Sequence, residues 1–146
     1  MTSPESVGPD PFRHRLRVRY AEVDGQGVVF NAHWLTFFDE ACTRFVETWG
    51  FGPDFWIHQF DVMLVKASLE WSGPARFDEW IDIAVTPCRI GTKSFDVRYV
   101  ASVGDRAACE AVITYVAVNP GSNESMVVPD NVRAALTSRL RHPRSS

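Results

Sequence analysis

Between Leu35 and Gly50 the chain carries a pattern that only a buried helix satisfies. Apolar residues recur at three- and four-residue steps through Leu35, Phe38, Cys42, Phe45, Val46 and Trp49, one continuous apolar stripe along a helix. Gly50 follows, suited to the left-handed turn that ends helices, and Asn31 precedes, a favoured N-cap type. A stripe that wide needs a cover, and the rest of the chain supplies strands. Before the helix, Leu16, Val18 and Tyr20 alternate with Arg15, Arg17 and Arg19, the period of a half-buried strand. After it come Met63, Val65, Ala67, Leu69 and Trp71 on one face of a second strand, broken by Ser72-Gly73-Pro74. A third runs from Trp80 to Thr86 with Ile81, Ile83 and Val85 on one side. Phe95, Val97, Tyr99, Ala101 and Val103 mark a fourth, turned by Gly104-Asp105 into a fifth from Ala107 to Val118. Residues 130–139 read as a short terminal helix. One strand, a long apolar helix and four strands joined by tight turns make an α+β domain: an antiparallel five-stranded sheet wrapped around a long central helix.

At 146 residues the chain has the length of one domain, read as residues 13–140 between flexible ends at 1–12 and 141–146. A net charge of −3 offers no basic excess to release phosphate counterions, which argues against a nucleic-acid binder. No run approaches the roughly 18 apolar residues of a membrane span. The first residues lack the charged-then-apolar pattern of a secretory signal, so a cytoplasmic protein is expected. Cys42, Cys88 and Cys109 sit in apolar segments and fit neither a disulfide framework nor a zinc pair. His14, His58 and His142 form no cluster, and His33 has no partner at metal-ligand spacing. No metal or bound cofactor is implied.

The chemistry-bearing stretch lies between the first strand and the helix. Gly25 and Gly27 bracket a loop that carries Asp24, and the helix start brings unsatisfied N–H groups close to it. A carboxylate facing backbone donors can serve acyl transfer; an Asp in a polar glycine-rich turn is the bland alternative. Glu22, two positions away, points to the same side of an extended chain. A close carboxylate pair would raise one pKa, while a solvated Glu at a strand end is the commoner case. Arg89 and Lys93 flank the Gly91-Thr92 turn, where two cations could meet an anion. Trp34, Phe37, Trp49, Phe55, Trp56 and Met63 read mainly as core.

The run Tyr20-Ala21-Glu22-Val23-Asp24-Gly25-Gln26-Gly27-Val28-Val29-Phe30-Asn31-Ala32-His33-Trp34-Leu35 resembles the signature of hotdog-fold acyl-CoA thioesterases of the hydroxybenzoyl-CoA thioesterase-like branch. The likeness continues at Ala75–Trp80, Arg89–Phe95 and Val128–Asp130, four motifs in order over about residues 14 to 140. It implies the hotdog fold and hydrolysis of an acyl-CoA, aromatic or fatty, to the free acid and CoA. By that resemblance Asp24 is the general base or nucleophile, and the backbone N–H of Asn31 polarises the thioester carbonyl. Gly27, Val28, Val29, Phe30 and Trp34 bind the acyl part, while Arg89 and Lys93 hold CoA phosphates; CoA belongs to the substrate and is no cofactor. A homodimer or homotetramer with sites at subunit interfaces is expected, since pairing sheet edges protects them.

Two positions depart from the family pattern. Asn31 stands where many relatives have His, and Glu22 replaces a common Asp. A rival within the fold places the carboxylate on the helix, at Asp39 or Glu40. A rival of another class is a non-catalytic module that binds acyl-CoA or acyl carrier protein.

Overall fold

The computed structural model describes residues 10–55 and 59–141. Readings made for residues 1–9, for Trp56 and His58, and for the tail from His142 lie outside them. Among the described residues five strands and two helices follow in the order β1 (Phe12–Arg17), α1 (His33–Glu47), β2 (Asp61–Trp71), β3 (Trp80–Ile90), β4 (Ser94–Val103), β5 (Arg106–Val118) and α2 (Asp130–Ser138), with a 3₁₀ turn at Tyr20–Glu22. The strands form one antiparallel sheet in the order β1-β3-β4-β5-β2, and α1 lies across its inner face. This is the hotdog arrangement, with the two long hairpins of the C-terminal half at its centre and β1 and β2 at its edges.

The core forms where the helix stripe meets inward strand residues. Phe38 and Trp34 are buried, and Phe38 stacks on Tyr99 of β4 with ring centroids 5.0 Å apart. Truncating a side chain so placed costs about 3–5 kcal/mol, the transfer loss plus an unfilled cavity. Among these apolar contacts lies a polar seam. The Tyr99 and Tyr115 hydroxyls are 2.6 Å apart, and the Cys42 thiol of α1 joins them. Burial pushes the Cys42 thiol up to about 11, so it remains a neutral packing group, like the other free, buried cysteines Cys88 and Cys109.

Three expectations are corrected. Tyr20 does not share a buried strand face with Leu16 and Val18. The strand ends at Arg17, the chain enters the 3₁₀ turn, and Tyr20 is 78% exposed, edge-on to Phe77. In β2 the single face read from Met63 to Trp71 is split by a bulge at Val65. Leu64 opposes Tyr115 and Lys66 opposes Thr114, so Met63 and Ala67 point to opposite sides, and Met63 is exposed rather than core. The helix N-cap is Ala32, without a side-chain cap, and not Asn31. The apolar periodicity fixed the helix face but not its first residue. The end behaves as expected: α1 stops at Glu47, and Gly50 has φ +78°. No described helix is long and apolar enough to cross a membrane.

Candidate active site

The loop after β1 is closed on itself. Val23 and Val29 form an isolated antiparallel bridge, Asp24 N–H donates to Val28 O at 2.9 Å, and Gly27 N–H to Asp24 O at 2.9 Å. Gly27 sits at φ +77°, the left-handed region that a side chain would strain. Asp24 Oδ1 accepts the Gln26 N–H at 2.8 Å, whereas Oδ2 accepts no hydrogen bond among the described residues. One oxygen holds the turn and the other is free for chemistry, so the structural and functional readings of Asp24 are compatible.

Across the loop the chain runs into α1. His33 N–H donates to Phe30 O and Trp34 N–H to Asn31 O, a tight turn ahead of the helix. The Asn31 N–H finds no acceptor among the described residues. Val28, Val29, Asn31 and Trp34 line a cavity of about 300 Å³. Its other wall is Trp71, at the end of β2, with Gly73, Pro74 and Ala75. These four were not read as site residues. They stand some 40 positions from the loop in sequence, and the local signs are the Ser72-Gly73-Pro74 break and the motif that starts at Ala75.

The segment between β2 and β3 is held firmly enough to be a wall. Val29 N–H donates to Ala75 O at 2.8 Å, and Val28 bridges Arg76. Arg106 of β5 reaches under the segment to Pro74 O and to Glu79 Oε2, and the other Glu79 oxygen accepts Arg76 N–H at 2.7 Å. Phe30 is exposed and lies edge-on to His33, outside the cavity lining.

Glu22 is not solvated. It is 6% exposed, the one charged side chain among the described residues to be buried. Burial alone would raise its carboxyl, but hydrogen bonds from the Arg19 side chain and backbone outweigh that and hold it below the usual carboxylate range.

The other candidates fall elsewhere. Glu40 pairs with His14 Nε2 at 3.1 Å on the flank of α1, and Asp39 faces a different cavity with Cys42, Asp61 and Tyr115. A cavity of about 480 Å³ lies at the far end of α1 among Thr43, Val46 and Phe51. Arg89 and Lys93 are not brought to Asp24 within one chain. Asp24 lies beyond the Trp80 end of β3, and Arg89 sits at its other end, nine residues or about 30 Å away at the rise of a strand. Arg89 is also engaged, forked onto Asp96 at 2.8 and 3.0 Å and bonded to Ser94 Oγ, while Lys93 is exposed with no ion-pair partner among the described residues. Among the described residues no group of three or more His, Cys, Asp or Glu could hold a metal ion.

This architecture recurs in known proteins. The chain is 24% identical over 132 residues to a 1,4-dihydroxy-2-naphthoyl-CoA hydrolase of Nostoc punctiforme, covering 89% of each. It is 26% identical over 126 residues to the acyl-CoA thioester hydrolase YbgC of Escherichia coli O157:H7, covering 84% of this chain and 93% of that one. A gentisyl-coenzyme A thioesterase superposes with a TM-score of 0.79 at 23% identity, over 86% of this chain and 99% of the other. A Pseudomonas aeruginosa protein reaches 0.80 at 23% identity, over 90% and 97%. The model of the thioesterase superfamily matches residues 26–110, from Gln26, just after Asp24, into the first half of β5, and to that superfamily the chain belongs.

Proposed function

We propose that this thioesterase hydrolyses the acyl–sulfur bond of an acyl-CoA, with Asp24 as the reacting carboxylate. The observation that carries it is the loop itself: an Asp24 carboxylate oxygen without a partner among the described residues, an Asn31 N–H likewise unpartnered, and an apolar cavity that Asn31 lines and Asp24 does not. Acting as general base, Asp24 takes a proton from water as the water oxygen bonds to the thioester carbon. The carbonyl oxygen becomes an oxyanion held by the Asn31 N–H. Collapse breaks the C–S bond, and the thiolate of CoA recovers the proton. Acting as nucleophile, Asp24 bonds to the same carbon, expels the thiolate and leaves a mixed anhydride that water cleaves. In both courses Val28, Val29 and Trp34 wall the acyl group. The named relatives act on CoA thioesters, which supports CoA as the leaving group.

The site is shared between two copies of the chain. Edge strand β2 exposes Leu64, Val65 and Trp71, and Trp71 lines the cavity. Antiparallel pairing of β2 with its symmetry mate, about an axis near mid-strand, sets the Asp61 end of one copy beside the Trp71 end of the other. The partner's β3–β4 hairpin thereby comes to the Asp24 end of the sheet. Within the dimer a Lys93 that is remote in its own chain can meet the phosphates of a CoA bound at the other.

Asp24→Asn tests the chemistry. Thiol release from short, long and aromatic acyl-CoAs should fall about 10²–10⁴-fold in kcat with the circular dichroism spectrum unchanged. Full activity in the folded variant would overturn the assignment of Asp24, and loss in Glu40→Gln instead would move the chemistry onto α1. Tight acyl-CoA binding by a wild-type protein that releases no thiol would make the chain a binding module.

A further inference from the structure

We infer that Glu22 is a positioning residue for hydrolysis at Asp24: its buried carboxylate and its backbone carbonyl set the distance between the two arms of the loop. This rests on the reading of Asp24 and Asn31 given above. Glu22 Oε1 accepts the Arg19 backbone N–H at 2.7 Å, and Oε2 accepts Arg19 Nε–H and Nη2–H at 3.2 and 2.8 Å. These bonds lock the 3₁₀ turn that takes the chain out of β1. On its backbone side, Glu22 O accepts the Phe30 N–H at 3.0 Å. Phe30 is one residue from the unpartnered N–H of Asn31, and Glu22 is two residues from Asp24. One residue therefore ties the arm that carries the carboxylate to the arm that carries the carbonyl donor.

A buried ion pair is weak evidence for stability, because desolvation offsets much of its attraction. An exposed pair of the same residues at the same spacing would close the turn as well as this one does. What burial adds is fixity. The carboxylate stands at the wall of a cavity bounded by Leu16, Arg17, Thr36, Phe37 and Glu40, so it cannot swing to solvent without exposing that wall. The charges around it are Arg17 from β1, Arg19 from the turn, and His33 and Glu40 from α1; Arg17 is occupied by Asp78, and Glu40 by His14. Of these, Arg19 is the one that hydrogen-bonds to Glu22, and those bonds lie within the loop. A shift of about 1 Å in either reacting group can cost on the order of 10²-fold in rate, so a device that fixes their spacing acts on kcat.

Glu22→Gln breaks the strut without changing its volume. The amide keeps one acceptor for the Arg19 N–H but turns an NH2 donor toward the guanidinium donors. Two readouts are taken. In steady-state assays with the best acyl-CoA, kcat should fall about 10–100-fold with KM changed less than about two-fold. In hydrogen exchange followed residue by residue, the Phe30 and Asp24 amides should exchange about ten-fold faster or more, with the Ile83 amide in β3 unchanged, the mark of local rather than global opening. Arg19→Gln should reproduce both and serves if Glu22→Gln does not fold. Unchanged kcat with unchanged loop exchange would overturn the inference. So would a rise in KM alone, which would mark a substrate contact, or equally faster exchange at Ile83, which would mark general destabilisation. If the wild type releases no thiol from any acyl-CoA, the proposed function falls, and the exchange experiment still decides whether Glu22 holds the loop.

Discussion

The two edges of the sheet are built to opposite specifications. Strand β1 is six residues long and turns Arg13, Arg15 and Arg17 outward. The Arg15 and Arg17 guanidinium carbons lie 4.4 and 5.4 Å from the Trp80 ring centroid, with Asp82 and Asp78 pairing the charges. Charge and short length are devices that keep an edge from pairing, and here two arginines flank the half-exposed Trp80 ring. Strand β2 is eleven residues long, interrupted at Val65, and leaves Val65 and Trp71 53% and 49% exposed. It offers apolar side chains and a row of free backbone groups together. Strand β2 carries blunting devices of its own, the bulge and Lys66, but exposes more apolar surface, and the proposed dimer uses this less defended edge. That edge is also the one whose last residue reaches the candidate active site.

The sharpest way to break this contrast is to give β2 the protection that β1 has. Leu64→Lys combined with Val65→Lys removes two apolar side chains, each worth about 1.5–3 kcal/mol when buried. The dimer dissociation constant should rise by about 100-fold or more by sedimentation velocity, with activity lost in proportion to the dimer. A wild type that is monomeric and fully active at nanomolar concentration would end the contrast outright.

A second test asks which copy supplies the cation. Lys93→Ala should raise KM about five-fold with kcat little changed, and the defect should shrink as salt rises. Mixed dimers sharpen the result. Pairing an Asp24→Asn chain with a Lys93→Ala chain leaves one site with both defects and one intact if Lys93 acts across the interface, so the surviving activity has the wild-type KM. If Lys93 acts within its own chain, the surviving site keeps the raised KM.

The smallest effect belongs to the defended edge. Arg15→Ala and Arg17→Ala should each lower unfolding stability by about 0.5–1 kcal/mol in urea titrations, through the lost ring contact. The sedimentation coefficient should stay where it was. A change of assembly state here would mean that both edges pair and that β1 is protected only in appearance.

What the sequence made legible was whatever repeats. The stripe through Phe38, Phe45 and Val46 and the alternation through Ile81, Ile83 and Val85 announced the helix and the central strands, because burial follows period. The turn at Gly27 showed for a similar reason, because its φ of +77° is special backbone geometry that demands a special residue. What stayed hidden depends on single residues breaking a period. Val65 inserts one position into β2 and inverts its faces. The Arg19–Glu22 pair turns the chain out of β1 at Arg17, three residues before the apolar alternation ends at Tyr20, which is why the alternation puts Tyr20 inside and Glu22 reads as solvated. Trp71 and Ala75 join the cavity only through pairing across the sheet. That Arg89 and Lys93 stand at the far end of β3 could not be seen without knowing which way each strand runs.

The hydroxyl seam beneath α1 has a consequence for how this chain finds its fold. A helix with an apolar stripe can settle on an apolar sheet in several rotational and axial settings of similar energy, since greasy contacts are poor at telling neighbours apart. Tyr99 and Tyr115 discriminate among them. In the native setting their oxygens satisfy each other and meet the Cys42 thiol; a slide of α1 by one turn would press apolar atoms against both hydroxyls and leave polar groups dry and unbonded. Three polar atoms thus act as a key for the helix, rejecting mis-seated collapsed states more than they strengthen the correct one.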